Sequence, residues 1–295
     1  MKILKSIKRK IEKRIDAKLG SFLRSRYQSF KVTRPYVINT DGSMPLKEKI
    51  AIVTGGSGAI GRACSVTLAA YGATVYVCGS KKGSSNSVVQ EINNLGLSAK
   101  ECVLNVLDSK AIEETISGIA AANGGKIDIL VNSAGGSARD KANEIVNQEV
   151  DVIDSILNIN LRGAMLCART ASKYMIANRH GRIINITSVI GLQGKAGFSE
   201  YAASKGGSIA FVKSLAQELG RYGITVNGVA PGIVQRGDVN PQTKEQLTKT
   251  NWMGEYGKPE DISEMVAYLC TNKASFITGQ NIAVDGGRSL GLKEC

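Results

Sequence analysis

From Lys49 onward, short β-branched runs alternate with segments whose apolar residues recur every three or four positions. Ile50-Ala51-Ile52-Val53 is apolar at every position, the pattern of a strand buried on both faces. Similar runs predict strands at 74–78, 99–104, 127–131, 182–186 and 224–226, and near 280–284. Helical periodicity predicts helices over about 61–71, 86–95, 109–121, 151–178, 201–220 and 259–270. Strands alternating with helices imply an α/β fold, a doubly wound parallel sheet with helices on both faces. There is one such series, so a single domain is expected over 46–295, its last element closing near residue 290. Ligands of such sheets bind beyond the carboxyl ends of the strands, where the strand order reverses.

Residues 1–45 follow a different pattern. Leu4, Ile7, Ile11, Ile15, Leu19 and Phe22 form one apolar stripe, with Lys5, Lys8, Arg9, Lys13 and Lys18 beside or opposite it. A basic amphipathic N-terminal helix is expected, then a linker marked by Pro35, Gly42 and Pro45. The first 44 residues hold twelve Lys and Arg against Glu12, Asp16 and Asp41. Nine of the thirteen net positive charges therefore sit there, and four on the remaining 251 residues. Such a helix suits an anionic membrane surface, where each basic residue adds about 1 kcal/mol. It equally suits docking on its own protein or on a partner subunit through residues 1–30, and both readings stand. The basicity belongs to the extension, so nucleic-acid binding by the domain is not expected.

Composition narrows the chemistry. The chain has 295 residues, 43% hydrophobic and 21% charged, as globular domains do. No apolar run is long enough to span a bilayer. The basic N-terminus leads into no uninterrupted apolar stretch, so no secretory signal is expected. A cytoplasmic protein is expected, with peripheral membrane contact if the helix finds lipid. The six cysteines are scattered without a C-x-x-C pair, which predicts small buried residues and neither a metal site nor a disulfide framework. The single histidine, His180, lies in a turn before a strand and is expected in an exposed loop, not in a catalytic triad.

Two segments carry candidate chemistry. Thr54-Gly55-Gly56-Ser57-Gly58-Ala59-Ile60-Gly61 follows the first strand and opens a helix. Glycines permit tight turning and close approach of a ligand, and the helix N-terminus offers unpaired N–H groups to a pyrophosphate. Taken alone, this segment also fits a purely structural turn. Tyr201-Ala202-Ala203-Ser204-Lys205 sits on a helix, where residues four apart share a face. Reducing a carbonyl needs hydride at carbon and a proton at oxygen. A phenol in water titrates near about pH 10, so working near neutrality takes about 4 kcal/mol of help. A cation about 4 Å away, at an effective dielectric of about 20, supplies about that much. Lys205 is such a cation, and Ser188 can donate to the substrate oxygen. An exposed Tyr and Lys on a helix would show the same spacing.

The combination of motifs resembles the short-chain dehydrogenase/reductase family, whose phosphate loop reads T-G-x-x-x-G-x-G. Ala59 replaces the middle glycine, and Gly58 comes one place early. Asn132-Ser133-Ala134-Gly135 resembles the family's N-N-A-G, and Asn160 its helix asparagine. Asn185-Ile186-Thr187-Ser188, Tyr201, Lys205, Asn227-Gly228-Val229-Ala230-Pro231-Gly232, Ile277-Thr278-Gly279-Gln280 and Val284-Asp285-Gly286-Gly287 match in order. The resemblance covers about 46–290. It implies a Rossmann fold and an NAD(P)-dependent oxidoreductase acting on CH–OH/C=O groups. Tyr201 is then the acid/base, and Lys205 holds the nicotinamide ribose and tunes Tyr201. Ser188 orients the substrate, and Asn160 anchors a water that relays protons from Lys205. The implied cofactor contacts are Thr54, Gly55, Ser57, Gly58, Ala59, Ile60, Gly61, Ser80, Lys81, Asn105, Val106, Asn132, Ala134, Gly135, Tyr201, Lys205, Pro231, Gly232 and Ile233.

An acid at the end of the second strand would select NAD. Gly79 occupies that place, followed by Ser80, Lys81 and Lys82, so NADP(H) is favoured over NAD(H). Asn105 stands where the family has an adenine-contacting Asp. Arg236 stands where it often has a carboxamide-contacting Thr. Trp252, Met253 and Tyr256 lie in or beside an expected lid over about 233–255. Overall likeness to ketoacyl reductases implies a 3-oxoacyl carrier-protein substrate, with Arg139-Asp140 and basic surfaces suited to an acidic carrier. Alternatives are a sugar, polyol or other small-alcohol dehydrogenase, and a cofactor-binding scaffold without turnover. The family commonly forms tetramers through its two long helices, which implies a homo-oligomer.

Overall fold

The computed structural model describes residues 44–235, 237, 245–246 and 249–291. The apolar stripe of the extension, Arg236, much of the expected lid and Cys295 lie outside the described residues.

Seven strands form one fully parallel sheet: β1 (Ile50–Thr54), β2 (Thr74–Gly79), β3 (Ala99–Val103), β4 (Ile129–Asn132), β5 (Gly181–Ile186), β6 (Ile224–Pro231) and β7 (Asn281–Val284). Their order is β3-β2-β1-β4-β5-β6-β7. The reversal falls between β1 and β4, paired in register from Ala51↔Ile129 to Thr54↔Asn132. β1, β2, β5 and β6 are buried nearly throughout, which is why their sequences are apolar at consecutive positions.

The helices are α1 (Ala59–Ala70), α2 (Asn86–Asn94), α3 (Ser109–Ala122), α4 (Val150–Leu157), α5 (Gly163–Asn178), α6 (Ile190–Gln193), α7 (Ser199–Leu219) and α8 (Pro259–Cys270). On one face Ile52, Leu130, Ile183 and Val226 form a core with Ile112, Ile116, Ala168 and Val212 from the helices. α1 packs against α8, where a buried hydroxyl pair, Thr67 Oγ1 and Ser263 Oγ at 2.7 Å, joins them.

Two expectations change. The single helix expected over 151–178 is interrupted by a π-turn, Asn158–Arg162, between α4 and α5. An extra residue in a helical turn redirects the side chains after it, and such turns often mark functional positions; here Asn160 sits inside. The strand expected at 224–226 runs on to Pro231. Asn227 fits within it because its amide donates to Ile277 O at 2.7 Å and accepts from Gln280 N at 3.1 Å.

His180 is also corrected: it is half-buried, not an exposed loop residue. It lies at the amino-terminal edge of the sheet, just before β5. There Asp128 Oδ1 meets Lys49 Nζ at 3.0 Å and His180 Nε2 at 3.8 Å, while Asp128 Oδ2 accepts from Ile50 N at 2.9 Å. Burial, then the charges of Lys49 and Arg182, hold the imidazole below its ordinary range against the opposing pull of Asp128. Among the described residues the expected burial of the cysteines is seen at Cys64, Cys78, Cys102, Cys167 and Cys270, all free, and burial pushes the Cys167 and Cys270 thiols up to about 12.

The folded state therefore disfavours the imidazolium. Stability is intact above the ordinary imidazole range and declines as the pH falls through it towards the lower folded value. Urea midpoints measured across that range should slope downward toward acid, and His180→Gln should flatten this part of the slope.

Candidate active site

Most of the residues singled out from the sequence converge on the carboxyl-terminal rim of the sheet. At the end of β1, Thr54 Oγ1 accepts from Ser133 N and Ala134 N, each at 3.1 Å, and so ties the loop after β4 to the loop after β1. Gly55 turns at φ +63°, and a methyl there would lie 2.7 Å from Ala134 Cα. A methyl on Gly61 would lie 2.2 Å from Gly55 O. The loop thus folds back on its own helix with no room for side chains at either position. Gly58 caps α1 without a side-chain hydrogen bond. Ser57 and Gly58 are exposed and Ala59 partly so. This leaves an open helix N-terminus of the kind that holds a pyrophosphate. Ala59 begins the helix, a position that does not call for glycine's left-handed backbone.

Other segments reach the same rim. Ser80 and Lys81 are exposed just past β2; just past β3, Asn105 is exposed and Val106 is buried in the core. Asn105 Oδ1 accepts from Leu107 N at 3.1 Å, leaving the amide nitrogen available. Pro231 ends β6, and Gly232 approaches Asp285 so closely that a methyl would lie 2.8 Å from its Cα. Ile233 follows. At Gly79 the backbone is crowded: a methyl there would meet Ser84 Oγ at 2.0 Å. The turn after β2, closed by Ser84 Oγ donating to Lys81 O at 2.6 Å, places that hydroxyl where a Cβ would sit.

The chemistry-bearing residues gather on the other side of the β4 loop. α7 carries Tyr201 and Lys205 one turn apart, both buried. Lys205 Nζ lies 6.0 Å from the Tyr201 ring centre and donates to Ile186 O at 2.7 Å. Tyr201 packs against Val152 and Ile156 of α4, with Ala138, Ile190 and Phe198 alongside. Ser188 is buried two residues past β5, and its hydroxyl accepts from Ile190 N at 3.2 Å. Asn160 is buried, and its amide is filled: Oδ1 accepts from Gly136 N at 3.0 Å, while Nδ2 donates to Gly136 O at 2.9 Å and Ser204 Oγ at 3.0 Å. Both amide hydrogens are spent on protein, so the side chain acts as a strut for the β4 loop. Asn132 Nδ2 ties the same loop to Asn185 Oδ1 at 2.8 Å and Ala164 O at 3.3 Å.

Some contributors escaped the sequence reading. Ser204 donates to Tyr201 O at 2.8 Å while receiving Asn160, and its place three residues after Tyr201 was the only hint. Gly191 lets α6 lie on Lys205, since a methyl would sit 2.7 Å from Lys205 C. Glu200, beside Tyr201, is buried with neither carboxylate oxygen hydrogen-bonded. Trp252 and Met253 are anchored by their N–H groups to Gly286 O, which fixes that end of the expected lid. No group of side chains suited to a metal ion occurs among the described residues.

Comparison with known proteins finds relatives along most of the chain. The family described as enoyl-(acyl carrier protein) reductase matches residues 55–289. A 3-oxoacyl-[acyl-carrier-protein] reductase of Thermotoga maritima is 35% identical, over 83% of this chain and 99% of that protein. That of Aquifex aeolicus is 36% identical, over 82% and 98%. Among solved structures, gox2181 is 27% identical with a TM-score of 0.79, covering 84% of this chain and 98% of its own. A putative gluconate dehydrogenase from Agrobacterium tumefaciens is 28% identical with the same TM-score, covering 84% and 99%.

Two substitutions test the site's construction. Gly135 lies at φ +157°, and a methyl there would come 2.4 Å from Asn160 Oδ1. Gly135→Ala should displace the strut and lower kcat about tenfold or more, a loss of about 1.4 kcal/mol in barrier terms, with the far-ultraviolet circular dichroism preserved. Replacing a buried unpaired carboxylate by a neutral group removes a desolvation cost, so Glu200→Gln should raise the midpoint of thermal unfolding, by about 3 °C or more. A lowered midpoint would mean that the carboxylate has a partner in the assembled protein.

Proposed function

Because the chain belongs to the short-chain dehydrogenase/reductase family and is an NAD(P)-dependent oxidoreductase of C=O/CH–OH groups, we propose that it reduces a 3-oxoacyl substrate held on a carrier protein, with NADP(H) preferred. The observation that carries the reading is the buried Tyr201–Lys205 pair standing against the β4 loop opposite the open N-terminus of α1. The residues present fit the cofactor. The turn at Gly55 and Gly61 leaves a cradle that a Cβ would fill, and Thr54, Ser57, Gly58, Ala59 and Ile60 complete its wall. The reduced nicotinamide, when bound, supplies the hydride.

In this reading Tyr201 gives its phenolic proton to the carbonyl oxygen as the alkoxide forms. Ser188 holds that oxygen by donating a hydrogen bond, stronger in the transition state than in the ground state. Lys205 keeps its ammonium beside the ring, fixed by Ile186 O. Asn160 positions the β4 loop, and so Gly135 next to Lys205 Nζ. A relay water would need a group other than its filled side-chain amide.

The preference for NADP(H) rests on Gly79 and the exposed Ser80, Lys81 and Lys82. No carboxylate stands there to repel a 2′-phosphate, and two ammonium groups stand ready to meet it. The carrier-bound substrate rests on the names of the relatives at 35–36% identity. A second reading, a sugar or polyol dehydrogenase, has the putative gluconate dehydrogenase structure in its favour. We read the basic residues 1–30 as a contact for an anionic membrane or a partner subunit, on the strength of their charge and apolar stripe.

Tyr201→Phe should abolish reduction of keto esters while leaving NADPH affinity, measured by fluorescence titration, within about twofold of the parent; a full rate in this variant would refute the assignment. Lys81→Ala combined with Lys82→Ala should raise KM for NADPH about tenfold and leave KM for NADH little changed. Equal effects on both cofactors would remove the case for NADP(H).

A further inference from the structure

Three cations stand near the Tyr201 cluster with no carboxylate in ion-pair reach among the described residues. Arg139 opens the turn Arg139–Lys141 in the loop after β4, Lys195 follows α6, and Arg288 opens the turn Arg288–Leu290 after β7. Far apart in sequence, they are drawn together by named contacts. Ala138 and Phe198 both pack on the apolar cluster around Tyr201. Lys195 Nζ lies 4.3 Å from the centre of the Phe198 ring. Gln193 Nε2 donates to Ser289 O at 2.7 Å, which holds the segment of Arg288 against α6. Arg288 Nη1 donates to Thr250 O at 3.2 Å.

Lys195 feels both arginines. Burial, then Arg139 and Arg288, push the Lys195 ammonium down from the ordinary lysine range. None of the three forms an ion pair among the described residues. The neighbouring Asp285 is already spent, accepting from Gly287 N at 2.9 Å and Ser289 N at 2.7 Å. Like charges gathered against an apolar wall repel at a cost to the fold. An anion at their common focus would reverse the sign of that interaction.

We propose that Arg139, Lys195 and Arg288 form a receptor for a phosphate group that the carbonyl substrate carries away from its reacting carbon. The proposal rests on the reading of Tyr201 as the reacting centre. Cations on three separate segments suit the tetrahedrally arranged oxygens of a phosphate, whereas one arginine fork would already satisfy the two oxygens of a carboxylate. Two sources share this chemistry: the phosphopantetheine arm of a carrier, and a short phosphorylated ketone. The receptor stands apart from the cofactor's phosphate contacts, which belong to α1 and to the segment after β2.

The test uses the full chain saturated with NADPH, so that the cofactor's own phosphate contacts are filled. Titration calorimetry with inorganic phosphate should show saturable binding, weakened about tenfold in Lys195→Gln and in Arg288→Gln. No binding by the parent, or equal binding by parent and variants, overturns the receptor. Kinetics then separate the sources, with acetoacetyl-phosphopantetheine, dihydroxyacetone phosphate and neutral ethyl acetoacetate as substrates. In Lys195→Gln the KM for one phosphorylated ketone, relative to that for ethyl acetoacetate, should rise about tenfold, and the ketone affected identifies the source. The same proportional change for all three ketones overturns the proposal. If the parent reduces none of them, the reductase reading fails, while the calorimetry still decides whether phosphate is bound.

Discussion

The whole site hangs on a short loop gripped from two sides. Thr54 holds Ser133 and Ala134 through their N–H groups, and Asn160 holds Gly136 through both its N–H and its carbonyl. The first grip registers the loop to the glycine turn after β1, the second to α7 through Ser204. The glycine turn after β1 and the buried Tyr201 are thus positioned by one piece of backbone. A displacement at either grip would disturb both. The sheet makes this possible because β1 and β4 are neighbours across the reversal of strand order, which brings their following loops side by side.

The π-turn is the second half of the device. Asn160 must reach the β4 loop and Ser204 together, while α4 and α5 on either side keep their own packing against α7 and α3. Widening one turn serves all four contacts without breaking the helix. Ser204 then shares its hydroxyl between Asn160 and Tyr201 O, so the strut and Tyr201 belong to one hydrogen-bonded unit.

The sequence revealed the parts of this arrangement that depend on period and spacing. Buried parallel strands read as continuous apolar runs, and Tyr201 and Lys205 share a face because the α-helix repeats every 3.6 residues. Parts created by tertiary contact left weaker traces. One added residue in the turn around Asn160 leaves the apolar repeat on either side intact, so the interruption was invisible. Asn227 looks like a strand breaker, and only the loop at 277–280 explains why β6 runs through it. His180 looked exposed because its partner, Asp128, is distant in sequence and meets it only at the sheet edge. The gathering of Arg139, Lys195 and Arg288 has no local signature at all. The basic extension and Arg236 lie outside the described residues.

The close contact at Gly79 sets what a side chain at the end of β2 would cost. A Cβ there would first meet the Ser84 hydroxyl, the mobile end of a small side chain, and would turn it away from Lys81 O. The loss of that one hydrogen bond, borne by an exposed turn and not by the sheet, is the whole of the local cost, so the identity of this residue is set less by packing than by what it faces.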